Sequence, residues 1–314
     1  MKNPILVGHR GCNYEGINQN TMRSFHRVYA EGCRGIEFDI IPSKDKKLFV
    51  VHNLLLDEVS TGHGPVMEAD ASEIEQLYAG NISQGKDRIP TLADVYRWMS
   101  TLPRDDRPVL QVELKGTGAG EGVGQLTREY LDRQELDLEN LLVISFSRDE
   151  LSVFRQICSD VNVAILGGCA YRNVFLEKVP CLSPDHYNLL FAYHSEAFML
   201  PKYQDFSEYE GVITPELIPD DGQRMVATKI IASIFDGSCY DDSFFEFAKK
   251  LNAYSVNLWH KNLNKNIVDK VHALGFKVCV YTVDDEKDFL RMREIGVDAV
   301  VTNFYLKGKH VYDK

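Results

Sequence analysis

Eight short apolar runs, separated by stretches with helical periodicity, narrow the folds open to this chain more than any other feature. Residues 5–7, 35–40, 109–113, 141–146, 161–166, 254–258, 277–283 and 299–302 read as buried strands. Helical patterns lie between most of them. Asn20-Thr21 can cap a helix that carries Met22, Phe25, Val28 and Tyr29 on one face and ends at Gly32. Thr91 caps another with Leu92, Val95, Trp98 and Met99 on one stripe, and residues 264–274 and 285–295 are patterned alike. Strand–helix alternation of this kind puts the strands parallel, and eight of them predict an α/β fold, a (β/α)8 TIM barrel, formed by residues 1–314 as one domain.

Two stretches break the rhythm. Residues 54–89 are polar and turn-rich, with a helical candidate at 72–77, and read as a small insertion after the second strand. Residues 168–250 are too long for an ordinary loop and read as an elaboration between strands five and six, a candidate substrate lid. Strand-like runs at 189–192 and 230–235 lie within it.

Charge and composition exclude several classes of function. Forty-six acidic against 35 basic residues give a net charge of −11, with no basic run, so nucleic acid is not an expected partner. The apolar runs are too short to span a membrane. The seven cysteines form no C-x-x-C pair, which argues against a zinc knuckle or a disulfide framework and for a reducing compartment. The N-terminus enters a strand almost at once, so no signal peptide is expected and the location predicted is cytoplasmic. The oligomeric state is not legible.

In the run Gly35-Ile36-Glu37-Phe38-Asp39-Ile40, strand periodicity puts Glu37 and Asp39 on one face and the apolar residues on the other. Two neighbouring carboxylates repel and are costly to desolvate, a conflict that a hard divalent cation, Mg²⁺ or Ca²⁺, resolves. A barrel keeps its active residues at the C-terminal strand ends. There stand His9 and Arg10 after strand one, Glu37 and Asp39 on strand two, and Glu113 and Lys115, which share a side, on strand three. The extended segment 48–51 delivers His52.

The set describes metal-assisted phosphodiester cleavage. Glu37, Asp39 and Glu113 are the expected metal ligands, and Arg10 and Lys115 the expected phosphate contacts. His9 and His52 are the expected acid and base. Trp259 and Tyr281 are candidate stacking residues for the substrate's alcohol half, with core packing as the competing role. The glycines at 116–124 read as a loop, a candidate hinge beside Lys115, and lack the Lys-Ser/Thr end of a nucleotide-binding P-loop. Of the other histidines, only His194 and His260 stand where a role in the site could be tested.

Gly8-His9-Arg10-Gly11, Asn20-Thr21, Glu37-Phe38-Asp39, Val51-His52, Pro90-Thr91-Leu92, Val112-Glu113-Leu114-Lys115 and Gly296 to Asn303 together resemble the glycerophosphodiester phosphodiesterase family. The resemblance runs from residue 8 to 303, is weakest over 168–250, and implies a TIM barrel with a small insertion after strand two. It also implies attack on phosphorus by a hydroxyl or water, with the two histidines as base and acid. The chain departs from the family pattern at Gln19, Asn53 and Asn303, where the family usually has acids, and at Tyr305, where it has proline. The small-molecule partner is therefore expected to be a phosphodiester or a sugar phosphate. Relatives that join sugars through a phosphodiester, or transfer a phosphoryl group internally, supply an alternative activity. A silent phospho-ligand-binding barrel is a third.

Overall fold

The computed structural model describes residues 2–168, 172–183, 186 and 206–314. Strands β1 (Ile5–His9), β2 (Gly35–Pro42), β4 (Val109–Leu114), β5 (Leu141–Ser145), β6 (Asn162–Leu166), β7 (Ser255–Trp259), β8 (Lys277–Tyr281) and β9 (Ala299–Thr302) are hydrogen-bonded in that order, all parallel. β1 pairs with both β2 and β9, so the sheet closes into the expected eight-stranded barrel. The segment leading to His52 is a ninth strand, β3 (Leu48–Val50), which folds back antiparallel along β2.

The outward faces of the strands pack beneath the helices. Ile36, Phe38 and Ile40 of β2 share one core with Phe25 and Val28 of α1 (Met22–Ala30), and with Val95 and Met99 of α3 (Leu92–Thr101). Thr21 and Thr91 cap those helices as the sequence predicts, each accepting a hydrogen bond from the backbone three residues on. The inward faces are filled by Val7, Cys279 and Val301 on one side and Leu142, Ile144, Ala164 and Leu166 on the other. Residues 54–89 pack a small core around Leu56, Val66 and Ile74 against Ile41, Phe49 and Val51, and the candidate at 72–77 is the short helix α2 (Ala71–Ile74).

Two expectations need correction. Residues 116–124 are not a loop, because α4 (Ala119–Asp132) begins inside them. Its glycines serve close packing: a Cβ on Gly120 would lie 2.3 Å from the Glu150 carbonyl oxygen. Glu150, on α5 (Arg148–Ile157), also replaces the missing side-chain cap by accepting hydrogen bonds from the Gly118 and Gly120 amides.

The strand-like run at 230–235 is helical. After α6 (Arg172–Lys178) and α7 (Phe206–Glu210), it forms the end of α8 (Asp221–Asp236). Its β-branched residues suit a strand locally, but Ala227, Ile231 and Ile234 are buried at helical spacing against Phe175, Val179 and Tyr209. The run at 189–192 and His194 lie outside the described residues. The chain then returns through α9 (Asp242–Lys250), α10 (Lys265–Ala273), α11 (Glu286–Ile295) and α12 (Tyr305–Tyr312). No helix among the described residues is long and apolar enough to cross a membrane.

Candidate active site

Pairing register fixes the acids. Asp39 stands opposite Glu113 on β4, and Glu37 opposite His9 on β1, so β1, β2 and β4 deliver adjacent side chains to one end of the barrel interior. Glu37, Asp39 and Glu113 are buried, with one oxygen from each lying within 4.8 Å of the others. The chain reaches this point through a tight turn. Arg10 and Gly11 both take positive φ, 53° and 76°, and a Cβ on Gly11 would strike Ser24 Oγ at 2.5 Å. That turn aims the Arg10 amide at Glu37 Oε2, 3.0 Å away, while the Arg10 side chain places Nε 3.4 Å from Asp39 Oδ2. Lys115 Nζ lies 3.5 Å from Asp39 Oδ1 and 3.4 Å from Glu113 Oε1.

Both histidines face the acids through Nε2. His9 Nε2 lies 3.9 Å from Glu37 Oε2, and His52 Nε2 lies 4.0 Å from Asp39 Oδ1. Behind each ring stands an asparagine, and behind each asparagine a carboxylate. His9 Nδ1 meets Asn303 Oδ1 at 2.7 Å, and Asn303 Nδ2 donates to Asp284 Oδ2 at 2.7 Å. His52 Nδ1 meets Asn53 Oδ1, whose Nδ2 donates to Glu58. A carboxylate only accepts, so each amide must turn its NH₂ outward and its oxygen toward the ring. Each imidazole therefore carries its proton on Nδ1 and turns Nε2 toward the acids.

Burial and the close packing of opposite and like charges set the electrostatics of the cluster. Burial, followed by repulsion from Asp39 and Glu113, raises the Glu37 pKa well above the usual carboxylate range. Burial also raises Glu113, to about 7, against the pull of Lys115. Burial pushes Asp39 upward too, but His52, Lys115, Arg10 and the Asn20 hydrogen bond outweigh it and hold the carboxyl below its usual range. Burial and Arg10 lower His9 to about 3, and burial, Arg10 and Lys115 lower His52 well below the ordinary imidazole value. Asp39 Oδ1 and Glu113 Oε1 are buried and accept no hydrogen bond, although both face Lys115. Buried acceptors of this kind, three hard oxygen donors and no sulfur, fit a divalent cation such as Mg²⁺ or Ca²⁺.

The residues expected at the rim thus meet, with two exceptions. Trp259 is 7% exposed and packs against Phe235 of α8, ring centroids 5.4 Å apart. The Tyr281 hydroxyl donates to the Gly167 carbonyl at 2.5 Å while its ring meets Phe146 edge-on. Both anchor the helical elaboration on the barrel. His260 is buried, with Nδ1 3.0 Å from the Tyr281 carbonyl and Nε2 3.4 Å from Asp288.

Sequence reasoning missed Asp284 and Glu58, which hold the two asparagines, and gave Asn20, part of a cap and of the family motif, no contact in the site. Asn20 Nδ2 donates to Asp39 Oδ2 at 3.0 Å. Asp284 could have been found, because it lies three residues past the end of β8 and the same strand-end rule covers it.

A glycerophosphodiester phosphodiesterase from Caldanaerobacter subterraneus subsp. tengcongensis is 21% identical over 304 residues, covering 95% of this chain and 93% of its own. One from Bacillus subtilis is 22% identical over 309 residues, 96% and 83% of the two chains. The fold is similar to that of an Oleispira antarctica phosphodiesterase solved with its product sn-glycerol 3-phosphate, with a TM-score of 0.69 at 18% identity over 99% and 98% of the chains. The family model described as the glycerophosphoryl diester phosphodiesterase family matches residues 9–172 and 231–307 and passes over most of the elaboration. With that match across most of the barrel, the chain belongs to the glycerophosphoryl diester phosphodiesterase family, whose members are phosphoric diester hydrolases.

Proposed function

We propose that this chain hydrolyses a glycerophosphodiester with a divalent cation held by Glu37, Asp39 and Glu113 and with His9 and His52 as the proton-transfer pair. The observation that carries the reading is the convergence of two imidazole Nε2 atoms, Arg10 and Lys115 on one buried cluster of three carboxylates. When bound, the cation supplies Lewis-acid polarisation of the phosphoryl group and neutralises charge developing on it.

The chain's own residues do the rest. Arg10 and Lys115 bind and orient the anionic phosphate. One imidazole takes on its Nε2 a proton of the attacking water, and the other, carrying a proton on Nε2 as well as on Nδ1, gives the Nε2 proton to the departing alcohol's oxygen, which leaves a phosphomonoester. Asn303 and Asn53 keep the opposite ring nitrogens occupied, so that Nε2 is the atom that exchanges the proton.

The test is ³¹P NMR of the protein with Mg²⁺ or Ca²⁺ and a glycerophosphodiester. Release of a phosphomonoester, abolished by EDTA and by His9→Ala or His52→Ala, is expected. An unchanged diester signal with either metal would overturn the reading.

A further inference from the structure

At the N-terminal end of the barrel, opposite the carboxylate cluster, lies a cavity of about 620 Å³. Strand alternation explains why it is there. Ile5 shares a face with Val7 and His9, Gly35 with Glu37, and Val109 with Glu113, so these residues begin the inward layers of β1, β2 and β4. Ser255 and Ala299 begin those of β7 and β9. A closed barrel is ordinarily filled by layers of bulky branched side chains. Here Gly35, Ser255 and Ala299 put little volume into the lowest layer, and the space they leave is also lined by Val7, Leu142 and Cys279.

The interior and the mouth differ in chemistry. Ile5, Val7, Val109, Leu142, Val278 and Ala299 give the cavity apolar walls. Its deep polar groups are spent on one another: Ser255 Oγ donates to Asn257 Oδ1 at 3.1 Å, and Asn257 Nδ2 to Gln111 Oε1 at 3.5 Å. At the mouth, Ile5 and Tyr254 remain 60% and 51% exposed. Around them stand Lys2, Arg34, Lys265, Lys277 and Arg293, against Glu294 and Asp298. Arg34, Lys265 and Lys277 are paired with Asp106, Asp269 and Asp298. Lys2 and Arg293 form no ion pair with the described residues, nor does Glu294, and the Arg293 guanidinium lies 5.9 Å from the centre of the Tyr312 ring. The mouth thus keeps a positive excess in a chain whose net charge is −11.

We propose that this end of the barrel binds a single-chain amphipathic anion, its apolar body in the cavity and its carboxylate or phosphate head among the cations of the mouth. The volume falls within the roughly 300–1,000 Å³ of pockets that take one small molecule. Apolar walls supply the attraction for the body, and Lys2 and Arg293 set the sign of the head. The source is a free amphiphile and not a bilayer. Val7, Leu142 and Cys279 are buried inside the mouth, beyond the reach of a membrane surface, and the chain's net charge opposes an anionic leaflet.

The probe is decanoate below its micelle concentration, titrated by calorimetry into the full chain with EDTA present. One decanoate per chain is expected, with acetate and decyltrimethylammonium each bound about tenfold more weakly or worse. Lys2→Glu together with Arg293→Glu should weaken decanoate by about tenfold, an effect that shrinks in high salt. Ala299→Phe, which fills the mouth from β9, should remove binding, and thermal midpoints show whether each variant is folded. If Ala299→Phe does not fold, the charge reversal decides alone. Arg10→Ala should leave decanoate affinity unchanged, because it alters only the opposite end of the barrel. No binding of decanoate, equal binding of the cationic amphiphile, indifference to the charge reversal, full binding by folded Ala299→Phe, or loss with Arg10→Ala would each overturn the proposal. So would sedimentation of the protein with anionic vesicles while monomeric decanoate stays unbound.

Discussion

From β1 round to β4, the side chains that meet at the C-terminal end of the barrel are His9, Arg10, Glu37, Asp39, Glu113 and Lys115, with His52 brought in by β3. From β5 round to β8, the corresponding ends carry Phe146, Leu166, Trp259 and Tyr281, and a helical elaboration covers Trp259 and Tyr281. One half of the rim is charged and buried, and the other is apolar and packed. The contrast teaches that a barrel can separate reaction from shape along its own chain. The first half of the sequence supplies the buried histidines, cations and carboxylates, and the second supplies a packed wall together with the Asn303–Asp284 pair behind His9.

If the charged half alone carries the chemistry, stripping its cation has the largest effect. EDTA should abolish hydrolysis, and calorimetry should show metal affinity rising with pH through about 7. The sign follows from Glu113, whose pKa is pushed up to about 7, and from Glu37, raised as well: below that pH their protons compete with the cation, and binding releases them. Affinity that is flat between pH 6 and 8 would separate these carboxylates from the metal. Next, His9→Ala should lower kcat by about 10²- to 10⁴-fold with little change in thermal midpoint, the range for a lost general acid or base.

Asp284→Asn tests the support behind that ring. It leaves Asn303 free to turn its NH₂ toward His9, and a fall of about 10- to 100-fold is expected, as for outer groups that orient a reacting ligand. Imidazole ¹³C shifts should report the changed tautomer, and an unchanged spectrum with unchanged kcat would break the assignment. Trp259→Ala carries the comparison to the apolar half. It should cost about 3–5 kcal/mol of stability, read by denaturant unfolding, while kcat/KM moves least of all. A raised KM without loss of stability would make Trp259 a substrate contact and blur the contrast.

Most of the charged half was legible because strand periodicity and the strand-end rule are local. Glu37 and Asp39 share a face, and His9, Glu113 and Lys115 stand at strand ends, whatever the rest of the chain does. The amide behind His9 was not legible as a support, since Asn303 reaches that ring from the far end of the sequence. Helix α8 was misread because short β-branched runs suit a strand until their burial pattern is known. The glycines of α4 were misread because helix propensity penalises them, and only the approach of Glu150 explains why they are tolerated.

The hairpin of β2 and β3 has a consequence for how such a site can diverge. The Val50 amide donates to the Pro90 carbonyl, and Phe49 bridges Thr91, while the Val51 amide is tied to Asp39. The two ends of the 54–89 insertion are thus held together at its root, and His52 follows directly on the Val51–Asp39 hydrogen bond to β2. The insertion then packs back on the hairpin through Ile41, Phe49 and Val51. Beyond Glu58 and the residues packed on Ile41, Phe49 and Val51, its length and composition could change without re-registering the histidine, so that the surroundings of the site could vary while the histidine stays in place.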